Sequence, residues 1–220
     1  MTLTRADLET GRLQKLLAAA NLGLHVWTEA ELQASIDQTL QQNPSQQVWV
    51  FAYGSLIWNP VIHYIDRQVG RVHGFHRRFC LWTPLGRGTP ENPGLMLGLD
   101  HGGCCRGIVY QISPDLVQPE LLLLWRREMV VGSYIPRWVK VTTSERSLFA
   151  IAFLIDRSRS SYAGDLDMAT TVQTLATARG ELGSSLDYLN QTIAGLAQAG
   201  IHDRGLLNLQ RQVIAQQLIC

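Results

Sequence analysis

Residues 48–56 read Val48-Trp49-Val50-Phe51-Ala52-Tyr53-Gly54-Ser55-Leu56. The run up to Tyr53 is rich in β-branched and aromatic residues, which is typical of a buried strand, and Gly54 ends it. A glycine at this place lets the chain turn sharply and lets a ligand approach the backbone closely. Free N–H groups in such a turn can converge on an anion or a carbonyl oxygen. The stretch predicts a buried strand followed by either a plain tight turn or an anion-binding turn.

Further strands and helices follow this segment. Clusters of Gly and Pro separate several of the strands, which favours antiparallel or mixed pairing. The predicted strands are Gln68–Val72, Arg77–Trp82, Gly94–Leu99, Arg106–Ile112, Pro136–Thr143 and Leu148–Ile155. The predicted helices lie between Ser113 and Gly132, over Met168–Arg179, from Ser184 to Ala199, and from Asp203 toward Leu218. Strands first and helices after indicate an α+β fold, a small curved sheet or barrel with helices packed outside.

Upstream of the first strand, the chain has a helical pattern and a polar linker. Thr28 and Glu31 form a capping box that opens a helix toward Leu40, and a shorter helical pattern precedes it. The polar stretch Gln41–Gln47 is typical of a linker. The chain is therefore predicted to consist of a helical extension with its linker, residues 1–47, and a main domain, residues 48–220.

Composition narrows the function classes. The chain has 220 residues, 19 basic and 18 acidic, and a formal net charge of +1. Nucleic acids and anionic membranes attract a surplus of positive charge, so neither is an expected partner. The N-terminus lacks an apolar signal region, and the longest apolar run, Leu148–Ile155, is far shorter than the roughly 18 residues that span a bilayer. We expect a cytoplasmic protein with buried, reduced thiols at Cys80, Cys104, Cys105 and Cys220.

Several kinds of catalytic site have no signal here. The chain lacks a Walker A lysine, a dinucleotide-binding glycine motif, a nucleophile elbow and an H-E-x-x-H helix. His73 and His76 would face opposite sides of a strand, so no metal and no cofactor are expected. Arginine suits carboxylate capture, and the candidates for that role, most of them expected at the surface, are Arg77, Arg78, Arg87, Arg106 and Arg137.

Glu128 is out of place in its helix. Its helical neighbours are apolar or lack a charge: Leu121, Leu124, Trp125, Val131 and Gly132. Arg126 and Arg127 precede it directly, and helix geometry predicts that they belong to the polar flank. A carboxylate buried without a partner has a raised pKa and can exchange protons near neutral pH. Glu128 is thus predicted to be either a general acid/base or one half of a buried salt bridge with a distant Arg78 or Arg137.

Two separated motifs carry a resemblance to a known family. Residues 50–58, Val-Phe-Ala-Tyr-Gly-Ser-Leu-Ile-Trp, taken with Arg126-Arg127-Glu128-Met129 and Gly132-Ser133-Tyr134, resemble the ChaC family of γ-glutamylcyclotransferases. The similarity extends over about Val48 to Val213 and includes the Gly86-Arg87-Gly88-Thr89-Pro90 loop. One departure is Ala52, where many relatives have Gly.

The resemblance implies a γ-glutamylcyclotransferase-like fold, a small mixed β-barrel flanked by helices. It also implies cleavage of a small-molecule substrate, glutathione, to 5-oxoproline and cysteinylglycine, with Glu128 as the acid/base residue. Tyr134, six residues after Glu128 on the following loop, is a candidate hydrogen-bonding wall of the pocket. No obligate protein partner is evident. The residues implied to bind the γ-glutamyl group are Val50, Phe51, Ala52, Tyr53, Gly54, Ser55 and Leu56.

The sequence leaves the exact activity open. Cyclisation is indifferent to much of the leaving amine, so other γ-glutamyl amines are an alternative substrate class. A non-catalytic, ligand-binding regulator linked to cation transport is a second alternative. An intact Glu128 in an apolar setting argues against the regulator, because a pure sensor needs no unpaired acid there.

Overall fold

The computed structural model describes residues 3–20 and 22–218. Five strands form a closed barrel in the order β1-β3-β2-β4-β5. β1 pairs with β5 in parallel, whereas β1–β3, β2–β3, β2–β4 and β4–β5 are antiparallel. The strands are β1 (Trp49–Ala52), β2 (Asp66–Thr83), β3 (Gly94–Gln111), β4 (Tyr134–Thr143) and β5 (Ser147–Ile155). A mixed barrel with helices outside confirms the predicted α+β architecture.

The helices follow the predicted order along the chain. They are α1 (Arg5–Glu9), α2 (Arg12–Ala19), α3 (Glu29–Gln41), α4 (Val117–Glu128), α5 (Met168–Thr177), α6 (Ser185–Gln198) and α7 (Arg204–Gln217). Two 3-10 turns cover Ser55–Ile57 and Pro114–Leu116, and a two-stranded sheet joins β6 (Arg179–Gly180) to β7 (Gly183–Ser184). The capping box at Thr28 is present, and Ser184 and Asp203 cap α6 and α7 as expected.

The four strands predicted between Gln68 and Ile112 are wrong in number, because they form two long ones. β2 and β3 each span 18 residues and pair along their length as one hairpin. The sequence predicts separate strands because glycines interrupt the strand pattern. In the structure Gly74, Gly102 and Gly103 adopt positive φ at a shift in register between β2 and β3. Such an irregularity bends a strand without ending its pairing.

Two hydrophobic cores hold the barrel and its helices. Successive residues of a strand point to opposite faces. Accordingly, Phe51 packs in a cluster made of strand residues. Val50 and Ala52 point the other way and pack in a larger cluster that includes residues of α3, α4, α6 and α7. The helix α4 is buried against the barrel in this second core, with Trp125 fully buried. This packing fixes the C-terminal end of α4 relative to the end of β1.

The N-terminal helices pack on α4 and are anchored to it by a buried carboxylate. Glu120, on α4, is 1% exposed. It accepts hydrogen bonds from Arg5 of α1 at 2.7 Å and 3.0 Å and from the backbone N–H of His63 at 3.1 Å. Although burial alone raises the pKa of Glu120, the hydrogen bonds from Arg5 and His63 lower the pKa overall. The extension is therefore fastened to the helix that carries Glu128.

The thiols differ from one another in exposure. Cys80 and Cys105 are buried and unpaired, as predicted, and burial raises the pKa of Cys80 to about 12. The prediction for Cys104 is wrong: it is exposed, because it faces outward where β2 and β3 bend. Cys220 lies outside the described residues. Among the described residues, the helices are too short or too polar to span a bilayer.

Candidate active site

The turn after β1 presents unused backbone donors. The 3-10 turn Ser55–Ile57 begins at Gly54, whose carbonyl accepts a hydrogen bond from Ile57 N–H at 3.0 Å. The N–H groups of Gly54, Ser55 and Leu56 have no acceptor within the described residues. The first N–H groups of a helical turn are free in this way and attract negative charge. The turn is thus able to bind a carboxylate or stabilise an oxyanion.

Arg77 fixes the orientation of this turn. Its side chain is 4% exposed, and its guanidinium donates to the carbonyl of Tyr53 at 2.6 Å and to that of Arg106. Asp203, at the start of α7, accepts from the Nε of Arg77 at 3.1 Å. The C=O and N–H of a trans peptide point in opposite directions. Holding the Tyr53 carbonyl therefore aims the N–H of Gly54 away from Arg77.

Glu128 is the last residue of α4, and its side chain is only 12% exposed. Its carboxylate lies 3.1 Å from the Nε of Arg127. The prediction that Arg127 belongs to the polar flank is therefore wrong. At the end of a helix a long arginine side chain can curl toward the residue that follows it, and Arg127 is 9% exposed. The predicted alternative of Arg78 as partner is also wrong, because Arg78 pairs with Asp165 and Asp100.

Arg127 connects the carboxylate to the turn. Its two terminal nitrogens donate to the Ser55 hydroxyl and to the Asn59 carbonyl, each at 2.7 Å. The same guanidinium therefore contacts Glu128 and both ends of the segment that follows Gly54. Arg127 therefore links the carboxylate to the turn that carries the free N–H groups.

The protonation of Glu128 is shifted by its surroundings. Burial raises the pKa of Glu128 above the ordinary value of 4.5, and the positive charge of Arg127 opposes the rise. A carboxyl with a raised pKa is a stronger base when ionised, and it holds its proton up to a higher pH than an ordinary carboxyl does. The predicted buried acid with a raised pKa is present, with an arginine beside it.

Three buried tyrosines lie close enough to Glu128 for its charge to raise their pKa values. Burial and the charge of Glu128 raise the pKa of Tyr188 to about 12, and burial likewise raises the pKa values of Tyr53 and Tyr134 well above 10.0. All three hydroxyls are therefore protonated at neutral pH. Tyr53 donates to the Phe153 carbonyl at 2.8 Å and Tyr134 to the Leu97 carbonyl at 3.4 Å. The hydroxyls add uncharged polar groups to the surroundings of Glu128.

Tyr188, from α6, is a site residue that reasoning from the sequence did not single out. A Cβ placed on Gly54 would lie 2.8 Å from the Tyr188 hydroxyl oxygen and 3.7 Å from the Cβ of Leu97. Glycine is therefore required at the turn because of close approach by a side chain from a distant helix. The aromatic residue at helical spacing in α6 predicts burial only, so its place in the site is visible only in three dimensions.

The seven residues of the segment 50–56 occupy two different positions. Val50, Phe51 and Ala52 are fully buried, and their backbones pair with β3. Tyr53, Gly54, Ser55 and Leu56 form the turn that contacts the groups around Glu128.

Of the five arginines predicted as candidates for carboxylate binding, Arg77 has a buried side chain rather than a surface position. Among the described residues no group of three or more His, Cys, Asp or Glu side chains could hold a metal ion.

Comparison with known proteins places this geometry in a family. A family model described as ChaC-like protein matches residues 48–216. The chain belongs to the ChaC-like family. This membership confirms the resemblance carried by the turn and by the Glu128 motif.

Members with curated names share much of the ChaC-like chain. The glutathione-specific γ-glutamylcyclotransferase of Escherichia coli K12 is 37% identical over 186 residues, which is 84% of this chain and 80% of that protein. The human glutathione-specific γ-glutamylcyclotransferase 1 is 34% identical over 66% of this chain and 67% of its own length. A crystal structure of a yeast γ-glutamyl cyclotransferase specific to glutathione superposes with a TM-score of 0.71 at 25% identity, covering 78% of this chain and 97% of that one.

Proposed function

We propose that this ChaC-like protein cleaves glutathione to 5-oxoproline and cysteinylglycine by intramolecular cyclisation. The observation that carries the proposal is the buried carboxyl of Glu128, joined through Arg127 to a turn with three free N–H groups. Relatives from bacteria and mammals that carry the name glutathione-specific γ-glutamylcyclotransferase support the choice of substrate.

The reaction needs no nucleophile from the protein. The substrate's α-amine attacks its own γ-carbonyl carbon, and the new C–N bond closes a five-membered lactam while the old amide C–N bond breaks. Holding the substrate folded back is worth up to roughly 7–11 kcal/mol when groups are well oriented. Tyr53 and Tyr134 line the space around Glu128, and because their hydroxyls donate to backbone carbonyls, they offer the folded substrate hydrogen-bond acceptors.

Glu128 moves the proton. Its carboxylate takes a proton from the attacking amine and then gives it to the departing nitrogen of cysteinylglycine, so that no proton is lost overall. The N–H groups of Gly54, Ser55 and Leu56 stabilise either the α-carboxylate or the oxyanion that develops on the γ-carbonyl. Val50, Phe51 and Ala52 support the turn from the buried strand β1.

The experiment compares 5-oxoproline release by the wild type and by Glu128→Gln, with glutathione and with γ-glutamylalanine, in the presence and absence of EDTA. Glu120→Gln is the matched control, because Glu120 is also a buried carboxylate on α4 but pairs with the N-terminal extension. We expect release from glutathione by the wild type and the control, insensitive to EDTA, and none by Glu128→Gln. Turnover by Glu128→Gln would refute the acid/base role, and equal release from γ-glutamylalanine would move the assignment to a broader cyclotransferase.

The expected place of this reaction is the cytoplasm. Unpaired, buried Cys80 and Cys105 fit a reducing compartment. Fractionation of cells that express the full chain tests this: recovery of the protein with the cytoplasmic fraction supports the assignment, and recovery with membranes contradicts it.

A further inference from the structure

Arg87 is a buried cation that forms no direct ion pair with a carboxylate of the described residues. It lies in the loop between β2 and β3 and is 4% exposed. Its terminal nitrogens make two long hydrogen bonds, to the Ser184 carbonyl and to the Gln191 side-chain oxygen, each 3.4 Å. No Asp or Glu of the described residues lies within salt-bridge distance of it, and Asp187 at the start of α6 acts on its charge only from farther away. Burying an unpaired charge is costly, so such a group is typical of a site that receives a charged ligand.

The loop that carries Arg87 is fixed in place. The Ser185 hydroxyl donates to the Arg87 carbonyl at 3.2 Å, and Leu182 N–H donates to the Gly86 carbonyl at 2.8 Å. A Cβ on Gly88 would clash with the backbone nitrogen of Gly94, so the middle of the loop packs closely against the start of β3. The guanidinium is thus held before any ligand arrives, which lowers the entropic cost of binding.

Arg87 is also close to the catalytic turn. Its Cζ lies 5.7 Å from the centre of the Tyr188 ring, and the hydroxyl of that ring reaches Gly54. The ring therefore bridges Arg87 and the turn. An extended dipeptide reaches at most about 7 Å, which is comparable with the distance of 5.7 Å from Arg87 to the Tyr188 ring. Cysteinylglycine, the leaving group of glutathione, is such a dipeptide and ends in a carboxylate.

We propose that Arg87 binds the glycyl carboxylate of glutathione and so makes the site selective for glutathione over γ-glutamyl amines that lack this group. The inference rests on the proposed function and deepens it. The other carboxylate of glutathione, the α-carboxylate, belongs to the γ-glutamyl unit, which is the end of the substrate that faces the turn. The guanidinium fork is well matched to a carboxylate, with which it can form two parallel hydrogen bonds.

The test compares glutathione with glutathione glycyl amide, a probe of equal size whose glycine carries no charge. Loss of a charge-assisted contact predicts that the wild type prefers glutathione by about 10- to 100-fold in kcat/KM. Arg87→Met abolishes this preference, and Arg87→Lys keeps a reduced one. Arg126→Met is the matched control, since Arg126 pairs with Glu29 on the outer side of α4, and it retains the full preference. Equal kcat/KM for both probes in the wild type, or an unchanged preference in Arg87→Met, overturns the proposal.

Binding measurements distinguish a failure of the Arg87 proposal from a failure of the proposed reaction. Calorimetric titration of Glu128→Gln with each probe reports recognition without turnover. Tighter binding of glutathione than of its amide supports Arg87 as the carboxylate site even if no 5-oxoproline is formed. Equal dissociation constants overturn it even if the chain proves to be an active cyclotransferase. Because these comparisons include protein with intact Arg87, a failure of Arg87→Met to fold leaves the proposal open to refutation.

Discussion

Replacement of Gly54 by alanine is the sharpest perturbation of the candidate site. The added Cβ would lie 2.8 Å from the Tyr188 hydroxyl, about 0.6 Å short of the 3.4 Å at which ordinary contact begins. Tyr188 cannot retreat easily, because its ring packs edge-on against Trp58 and Phe79 at centroid distances of 6.3 Å and 6.1 Å. Overpacking of this kind destabilises a protein by about 1–3 kcal/mol. A displacement of about 1 Å at reacting groups can cost 100-fold in rate, so we expect kcat/KM to fall about 10-fold or more.

The assay is the initial rate of 5-oxoproline formation from glutathione, with urea unfolding measured on the same preparations. Tyr188→Phe removes the obstructing oxygen, so the double variant Gly54→Ala/Tyr188→Phe should lose less activity than the product of the two single losses. This coupling would not arise if Gly54 served only as a flexible point in the chain. Wild-type kcat and KM in Gly54→Ala, or strictly multiplicative losses in the double variant, would refute the reasoning.

Three further substitutions give distinct expectations. Glu128→Gln should lower kcat by about 100- to 10,000-fold, the usual contribution of general acid/base catalysis. The pKa of Glu128 is higher in the folded than in the unfolded state, so its ionisation destabilises the fold. As pH rises from about 4.5 through the raised pKa, the unfolding free energy of the wild type should therefore fall relative to that of Glu128→Gln. A difference that stays constant across urea titrations at these pH values would contradict this. Arg127→Met removes the charge that opposes the rise, so the acidic limb of kcat/KM should move to higher pH, and an unmoved limb would separate Arg127 from the titration of Glu128. Glu120→Gln should lower the unfolding free energy by about 1–2 kcal/mol and leave kcat/KM unchanged. The loss of stability is small because the partners of Glu120 are partly exposed, Arg5 by 30% and His63 by 68%. Lost activity at intact stability would show that Glu120 acts in the reaction.

Local patterns in the sequence predict the fold class well. Composition and turn residues indicate β1, β4, β5 and the helical last third, and side-chain caps such as Thr28 mark where helices begin. The long hairpin of β2 and β3 is different, because glycine is ambiguous between ending a strand and bending it. Pairing with the partner strand decides between these outcomes, and pairing is a tertiary contact.

The candidate site is only partly predictable for the same reason. Glu128 stands out because a carboxylate on an apolar helix face is unusual, and Gly54 stands out because it ends a strand. Their relation to Tyr188 and Arg87 depends on how α6 and the loop before β3 pack around the end of β1. The position of Arg127 is not predictable from helix geometry, which describes the middle of a helix, because in the last turn a long side chain can curl toward the residue that follows it.

The most direct test of the central claim is the fate of oxygen during cleavage of glutathione in water enriched in heavy oxygen. Cyclisation directed by Glu128 uses no water, so mass spectrometry should find unlabelled 5-oxoproline and cysteinylglycine in equal amounts. Labelled glutamate would show that water attacks the γ-carbonyl and that the chain is a hydrolase. That result, or the absence of any product from the wild type, would contradict the account.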